Sequence, residues 1–315
     1  MLSTELTTVN VIEKKRSSIE VAIGKTPLIQ IKVDEQEYSP KVKIYGKAEW
    51  LNPGGSIKDR PALKIIQYAI NKNLLRKGNR LLDSTSGNMG IAYACICASM
   101  GIGVSLTLPE NASIERQVIL KAMGAELILT DPLEGSDGAM VVARQLANDF
   151  PEKYYYADQY QNNNNWLAHY ETTGPEIWVQ PNRKITHFVA GLGTSGTLTG
   201  VTKYLKEQNS QIESVSFQPE SPMHGIEGLK HMASSVLPGI YDPELADLNL
   251  QVGTEGAYEM VRKLAREEGL FIGLSSGASV KAAIELAKNL DEGTIVTMLP
   301  DGGSKYISNN IWETK

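Results

Sequence analysis

The sequence predicts an α/β protein of two doubly wound, open-sheet domains with a ligand cleft between them. Three observations carry the prediction. The chain has 315 residues, too many for one small core; strand-like and helix-like segments alternate in both halves; and four loops rich in Gly and small hydroxyl residues each stand just before a helix.

Taken in order, PLIQIK (27–32) and KIYGKAEW (43–50) read as an early pair of strands that belongs to the second domain although it precedes the first. Between residues 80 and 131 the pattern is βαβαβ: RLLDS as strand, NMGIAYACICASM as helix, VSLTL as strand, SIERQVILKAMG as helix and AELILTD as strand. In the second helix Ile114, Val118, Ala122, Ile119 and Met123 supply the apolar face and Gly124 the stop. A parallel sheet covered on both faces follows. DQYQNNNNWLAHYETTGPEIW (158–178) lacks early periodicity, which puts the crossover near residue 160. Beyond it THFVAG, ESVSFQ, LFIGLS and TIVTML read as strands, with helices starting near Thr197, Glu255 and Ala278. The expected domains are residues 1–26 plus 52–160 and residues 27–51 plus 161–315.

Composition narrows the function classes. Hydrophobic residues make up 42% and charged residues 21%, as in an ordinary globular chain. Thirty-six acidic against 31 basic residues, with no long basic block, argue against nucleic acid as a partner. The uncharged stretch from Ser84 to Pro109 is long enough for a membrane span, but Gly87, Gly90, Gly101 and Gly103 divide it into loop, helix and strand. MLSTELTTVNVIEKKRSS carries its charges after its weakly apolar part, so no secretory signal is expected and the cytoplasm is. Cys95 and Cys97, two apart on one helix, are read as reduced core residues. His169, His187, His224 and His231 form no metal-ligand spacing, and no G-x-S-x-G elbow points to a serine hydrolase.

Ligands of open α/β sheets bind at the carboxyl ends of strands, which directs attention to NPGGSIKDR (52–60), STSGNMG (84–90), GLGTSGT (191–197) and GLSSGA (273–278). GLGTSGT follows a strand and opens a helix, so its N–H groups and the hydroxyls of Thr194, Ser195 and Thr197 suit a phosphate. Gly191, Gly193 and Gly196 also satisfy G-x-G-x-x-G, and Glu220 ends the next strand, so this motif alone would serve a dinucleotide in an NAD-dependent oxidoreductase. Lys58 decides between them. A lysine at a helix start opposes the helix dipole, and one projecting from the rigid turn Asn52-Pro53-Gly54-Gly55-Ser56 can form a Schiff base with an aldehyde cofactor and then move a proton at the substrate α-carbon.

GKTPLIQI (24–31), NPGGSIKDR, TSGN (85–88), AHYETTGPEIW (168–178), GTSGT, LSSGAS and LPDGGSKY occur in this order, and together they resemble the blocks of fold-type II pyridoxal-phosphate (PLP) enzymes. The branch they resemble is that of cysteine synthase (O-acetylserine sulfhydrylase) and cystathionine β-synthase. The resemblance spans nearly the whole chain and implies a tryptophan synthase β-like fold with PLP in the interdomain cleft. It implies that Lys58 carries the cofactor as a Schiff base, that Asn88 bonds its ring oxygen and that Gly193, Thr194, Ser195, Gly196 and Thr197 hold its phosphate. Ser276 would face the pyridine nitrogen, and Thr85, Ser86 and Gln159 the substrate α-carboxylate. A neutral serine there leaves the ring a weak electron sink, which favours β-elimination followed by addition through an α-aminoacrylate. The activity implied is L-cysteine formation from O-acetyl-L-serine or O-phospho-L-serine and sulfide, in a homodimer, with a serine acetyltransferase as protein partner. Alternatives are cystathionine β-synthase-type or amine-nucleophile β-replacement, and a catalytically silent paralogue; retention of Lys58, Asn88 and Ser276 together counts against the last.

Two departures bear on the donor. Met89 stands where the family usually has a hydroxyl that helps bind the carboxylate, and a lost hydrogen bond to a charged group is worth roughly 1.5 to 3 kcal/mol. His224, Lys230 and His231 form a cationic cluster in the segment that flanks the family's active-site entrance, and Lys230 is the residue expected to recognise a phosphorylated donor.

Overall fold

The computed structural model describes residues 18–309 and 311–313. The segment read above for a secretory signal lies almost wholly outside them. The described residues form two sheets. The larger runs β1 (Leu28–Ile31), β2 (Val42–Ala48), β10 (Gly293–Leu299), β7 (His187–Gly191), β8 (Glu213–Pro219), β9 (Leu248–Val252), parallel except for the β1–β2 pair. The smaller is parallel and runs β5 (Glu126–Thr130), β4 (Gly103–Pro109), β3 (Arg80–Ser84), β6 (Tyr154–Tyr156).

Helices cover both faces of each sheet. They are α1 (Ser18–Ala22), α2 (Asp59–Asn71), α3 (Asn88–Met100), α4 (Ile114–Ala122), α5 (Gly135–Asp149), α6 (Asn164–Ala168), α7 (Gly174–Val179), α8 (Gly196–Gln208), α9 (Thr254–Glu267) and α10 (Leu274–Ala287). In α9 the buried Ala257, Met260, Val261 and Leu264 fall on one stripe and pack with α10 against the larger sheet. By contrast α3 is buried almost all round, between α2 and the smaller sheet. Both cysteines on it are free, and burial pushes the Cys97 thiol pKa up. Among the described residues no helix is long and apolar enough to cross a membrane.

Chain order within the sheets fixes where a ligand can enter. From β3 the chain moves outward through β4 and β5, then returns to place β6 on the other side of β3. From β7 it moves outward through β8 and β9, then places β10 on the other side of β7. The loops leaving β3 and β7 therefore sit at the two topological switch points, where such sheets open a crevice.

Two expectations of local structure need correction, and two strands, β6 and β9, went unpredicted. LFIGLS is not a strand: Ile272 makes only an isolated bridge to Gly302, and α10 starts at Leu274 rather than near Ala278. A short buried apolar run has no periodicity to separate strand from helix, and Gly273, in extended conformation, starts the helix early. β9 escaped the sequence reading because it is an edge strand, mostly exposed and without an apolar run. β6 has only three residues.

Candidate active site

The phosphate-type loop is built for close approach of a ligand. A side chain on Gly193 would run into the Gly228 carbonyl, so only glycine fits. Ser195 adopts the left-handed conformation (φ 71°) and turns the chain into α8, and its buried Oγ has no partner among the described residues. Thr194 Oγ1 accepts weakly from Gly196 N–H at 3.4 Å. Thr197 Oγ1 lies 3.3 Å from His169 Nε2, while His169 Nδ1 lies 2.9 Å from Thr173 Oγ1. Burial, aided by Arg60 and Lys58, holds the His169 pKa well below the usual imidazole value, so the ring is neutral. The loop thus offers a helix N-terminus and an orphaned hydroxyl, which fit a phosphate.

Lys58 projects from the turn that leads into α2. That turn is pinned by Ile57 N–H to the Pro300 carbonyl (2.8 Å), by a bridge between Ser56 and Asp301, and by the Asp59 carboxylate folding back onto Gly54 N–H. Burial lowers the Lys58 ammonium pKa from 10.5, with Asp301 opposing the shift. A depressed lysine is readied to act as an amine nucleophile.

Lys58, Thr85, Ser86, Asn88, Met89 and Gln159 line a single cavity of about 540 Å³, together with Gly193, Thr194, Ser195, Thr197 and Lys230. Residues expected from five separate stretches of sequence are thus brought together. Gly196 is the member of the phosphate loop outside the lining; its Cα is covered by the Asn165 side chain. Met89 is almost fully buried yet reaches the cavity wall, so its position offers the ligand a backbone N–H but no hydroxyl.

Ser276 is not brought to the cavity. Its side chain is fully buried and its Oγ contacts the Asp301 carbonyl at 3.3 Å. The residues of α10 that line the cavity are Ser275 and Ser279, and Ser279 Oγ donates to the Ser275 carbonyl at 2.8 Å. Residues four apart share a helix face, whereas the next residue is turned about 100° away. The string LSSGAS contains both serines, and its letters alone do not say which one faces inward.

Of the expected cationic cluster, His224 and Lys230 line the cavity and His231 does not; His231 Nδ1 is 2.8 Å from Ser234 Oγ. Lys230 Nζ sits 5.0 Å from the centroid of Tyr160, and burial lowers its pKa, with Asp137 opposing. The sequence reading missed Arg116 and Glu227, an ion pair on the cavity wall, in which Arg116 also lies over the Tyr306 ring at 5.6 Å. It missed Asp301 and Lys305 too. LPDGGSKY held the signal for these two, but SIERQVILKAMG read only as an amphipathic helix.

With this geometry, the family model described as "Pyridoxal-phosphate dependent enzyme" matches residues 19–301, and the chain belongs to that family. Its cofactor is PLP. More particularly, a cysteine synthase of Aquifex aeolicus is 48% identical over 307 residues, covering 96% of this chain and 94% of that one. A cysteine synthase B of Pseudomonas aeruginosa is 40% identical over 300 residues, covering 95% and 98%. The crystal structure of a cysteine synthase (OASS) from Entamoeba histolytica superposes with a TM-score of 0.90 at 32% identity, covering 100% of this chain and 94% of that one.

Proposed function

We propose that this chain makes L-cysteine by β-replacement, from O-acetyl-L-serine or O-phospho-L-serine and sulfide. The observation that carries the reading is the convergence of Lys58, the loop 193–197 and the loop 85–89 on one cavity.

When bound, PLP supplies the electron sink that lets a β-substituent leave and a nucleophile add. The chain's own groups do the rest. Thr194, Ser195 and Thr197, with the start of α8, hold the phosphate end, and the orphaned Ser195 Oγ gains an acceptor there. The hydroxyl facing the ring nitrogen is assigned to Ser275, because it lines the cavity and Ser276 does not. Thr85, Ser86 and Gln159, with the N-terminus of α3, bind the substrate carboxylate. Lys58 takes the α-proton as the leaving group departs and returns it after addition.

Lys230 on the cavity wall favours a phosphorylated donor, since a neutral acetyl group needs no such charge. Turnover of O-phosphoserine and O-acetylserine by wild type and Lys230→Ala tests this. The expected result is a loss of about tenfold or more in kcat/KM on O-phosphoserine alone. Equal loss on both donors, or none, contradicts the phosphodonor reading.

A cytoplasmic homodimer that docks a serine acetyltransferase is part of the same proposal, and the free thiols of Cys95 and Cys97 support a reducing location. So is the division into one unit (1–26 plus 52–160) and a second unit (27–51 plus 161–315), supported among the described residues by the two separate sheets.

A further inference from the structure

Asn88 is held by two side chains of opposite charge. Its Nδ2 donates to Asp301 Oδ2 at 2.7 Å, and its Oδ1 accepts from Lys305 Nζ at 2.6 Å. An ionised carboxylate has nothing to donate, and an ammonium has nothing with which to accept. Exchanging the amide nitrogen and oxygen would therefore replace two charge-assisted bonds with two repulsive contacts.

Both partners are themselves fixed. Asp301 is fully buried; its Oδ2 also accepts from Tyr306 O–H at 2.6 Å, and its Oδ1 has no partner among the described residues. The Asp301 carbonyl accepts from Gly273 N–H at 2.9 Å, at the start of α10, and the residue bridges to Ser56 beside Lys58. Lys305 Nζ also donates to the carbonyls of Gly54 and Gly55, at 3.1 Å each. Asp301 and Lys305 thus tie together Asn88, the Lys58 turn and the start of α10.

We propose that Asp301 and Lys305 are positioning residues that lock Asn88 as a hydrogen-bond donor toward the cavity. The amide nitrogen carries two hydrogens. One is used on Asp301, and the other is left for a ligand acceptor. The inference rests on the reading that the cavity binds PLP, whose ring oxygen is then the acceptor. A fixed donor stabilises the ionised form of that oxygen over its hydroxyl form.

The test is the absorbance of the PLP-loaded protein, read as the ratio of the long-wavelength band (ring oxygen ionised) to the short-wavelength band (ring oxygen protonated). Asp301→Asn preserves shape but lets two amides pair either way round, and Lys305→Met removes the donor. Each is expected to lower the ratio roughly tenfold, equivalent to one unit of pKa. Lys305→Arg, which keeps a cation that can only donate, is expected to keep the wild-type ratio. A wild-type ratio in both Asp301→Asn and Lys305→Met overturns the proposal, as does a fall in Lys305→Arg equal to that in Lys305→Met. If Asp301→Asn does not accumulate as folded protein, Lys305→Met decides alone on the same ratio, because Lys305 is only half-buried. Wild-type protein that takes up no PLP contradicts the cofactor reading instead, which separates the two failures.

Discussion

Ser275 and Ser276 are neighbours in sequence with opposite surroundings, and substitution separates their roles. Ser275 lines the cavity, whereas Ser276 is buried against the Asp301 carbonyl. Ser275→Ala is expected to lower kcat/KM for cysteine formation by about tenfold, the worth of one hydrogen bond to a polar partner, and to change the spectrum of bound PLP. Ser276→Ala is expected to leave the spectrum as it is. Steady-state kinetics and absorbance on the two variants check this, and the opposite pattern would restore Ser276 as the ring-nitrogen partner. Lys58 and the loop 193–197 stood out in the sequence because their residue types are unusual where they stand, a lysine at a helix start and glycines and hydroxyls at a strand end, whereas Asn88 entered only through the family resemblance. The sequence did not separate the two serines, because that depends on the phase of α10, and the start of that helix was misplaced by four residues.

At the scale of elements, α2 is fastened to the larger sheet by a buried charged network. Arg60 on α2 donates to Glu49 at 2.7 and 2.8 Å and to both oxygens of Glu176 at 2.8 Å. Lys47 on β2 joins through Glu176 and the Thr26 carbonyl, and it is fully buried. No motif announces these contacts, because their partners lie up to 129 residues apart and each charge looks solvated in its own segment. Burial by itself would raise the Glu176 pKa, but Arg60 and then Lys47 pull it down from 4.5 to about 2. A carboxylate with a depressed folded-state pKa contributes stability above its unfolded pKa and loses it as the pH falls through the folded one. Glu176→Gln is therefore expected to lower unfolding stability at pH 7 by roughly 3 kcal/mol, with the deficit shrinking between pH 4.5 and about 2. Urea midpoints of both proteins across that range measure it, and a deficit independent of pH would contradict the ionic role. The alternation of elements, by contrast, was legible throughout the smaller sheet's β3–α3–β4–α4–β5 run, because each strand is a short stretch rich in aliphatic residues and each helix between them ends at a glycine, Gly101 and Gly124.

For the molecule as a whole, the two switch points face one another across the cavity, and the ion pair of Arg116 on α4 with Glu227 joins the two sides. Sequence could place each loop at the end of its strand but not show that they meet, since that follows from how the two sheets are set against each other. On the function proposed above, this meeting makes a PLP site in which Lys58 carries the cofactor and a β-substituted serine reacts. The visible spectrum of the purified protein, recorded before and after addition of O-acetylserine or O-phosphoserine, tests it most directly. The expected result is a cofactor band that Lys58→Ala lacks and that shifts to a new band when a donor with a β-leaving group is added. A protein that is colourless and that added PLP does not restore, or a band that neither donor moves, would contradict it.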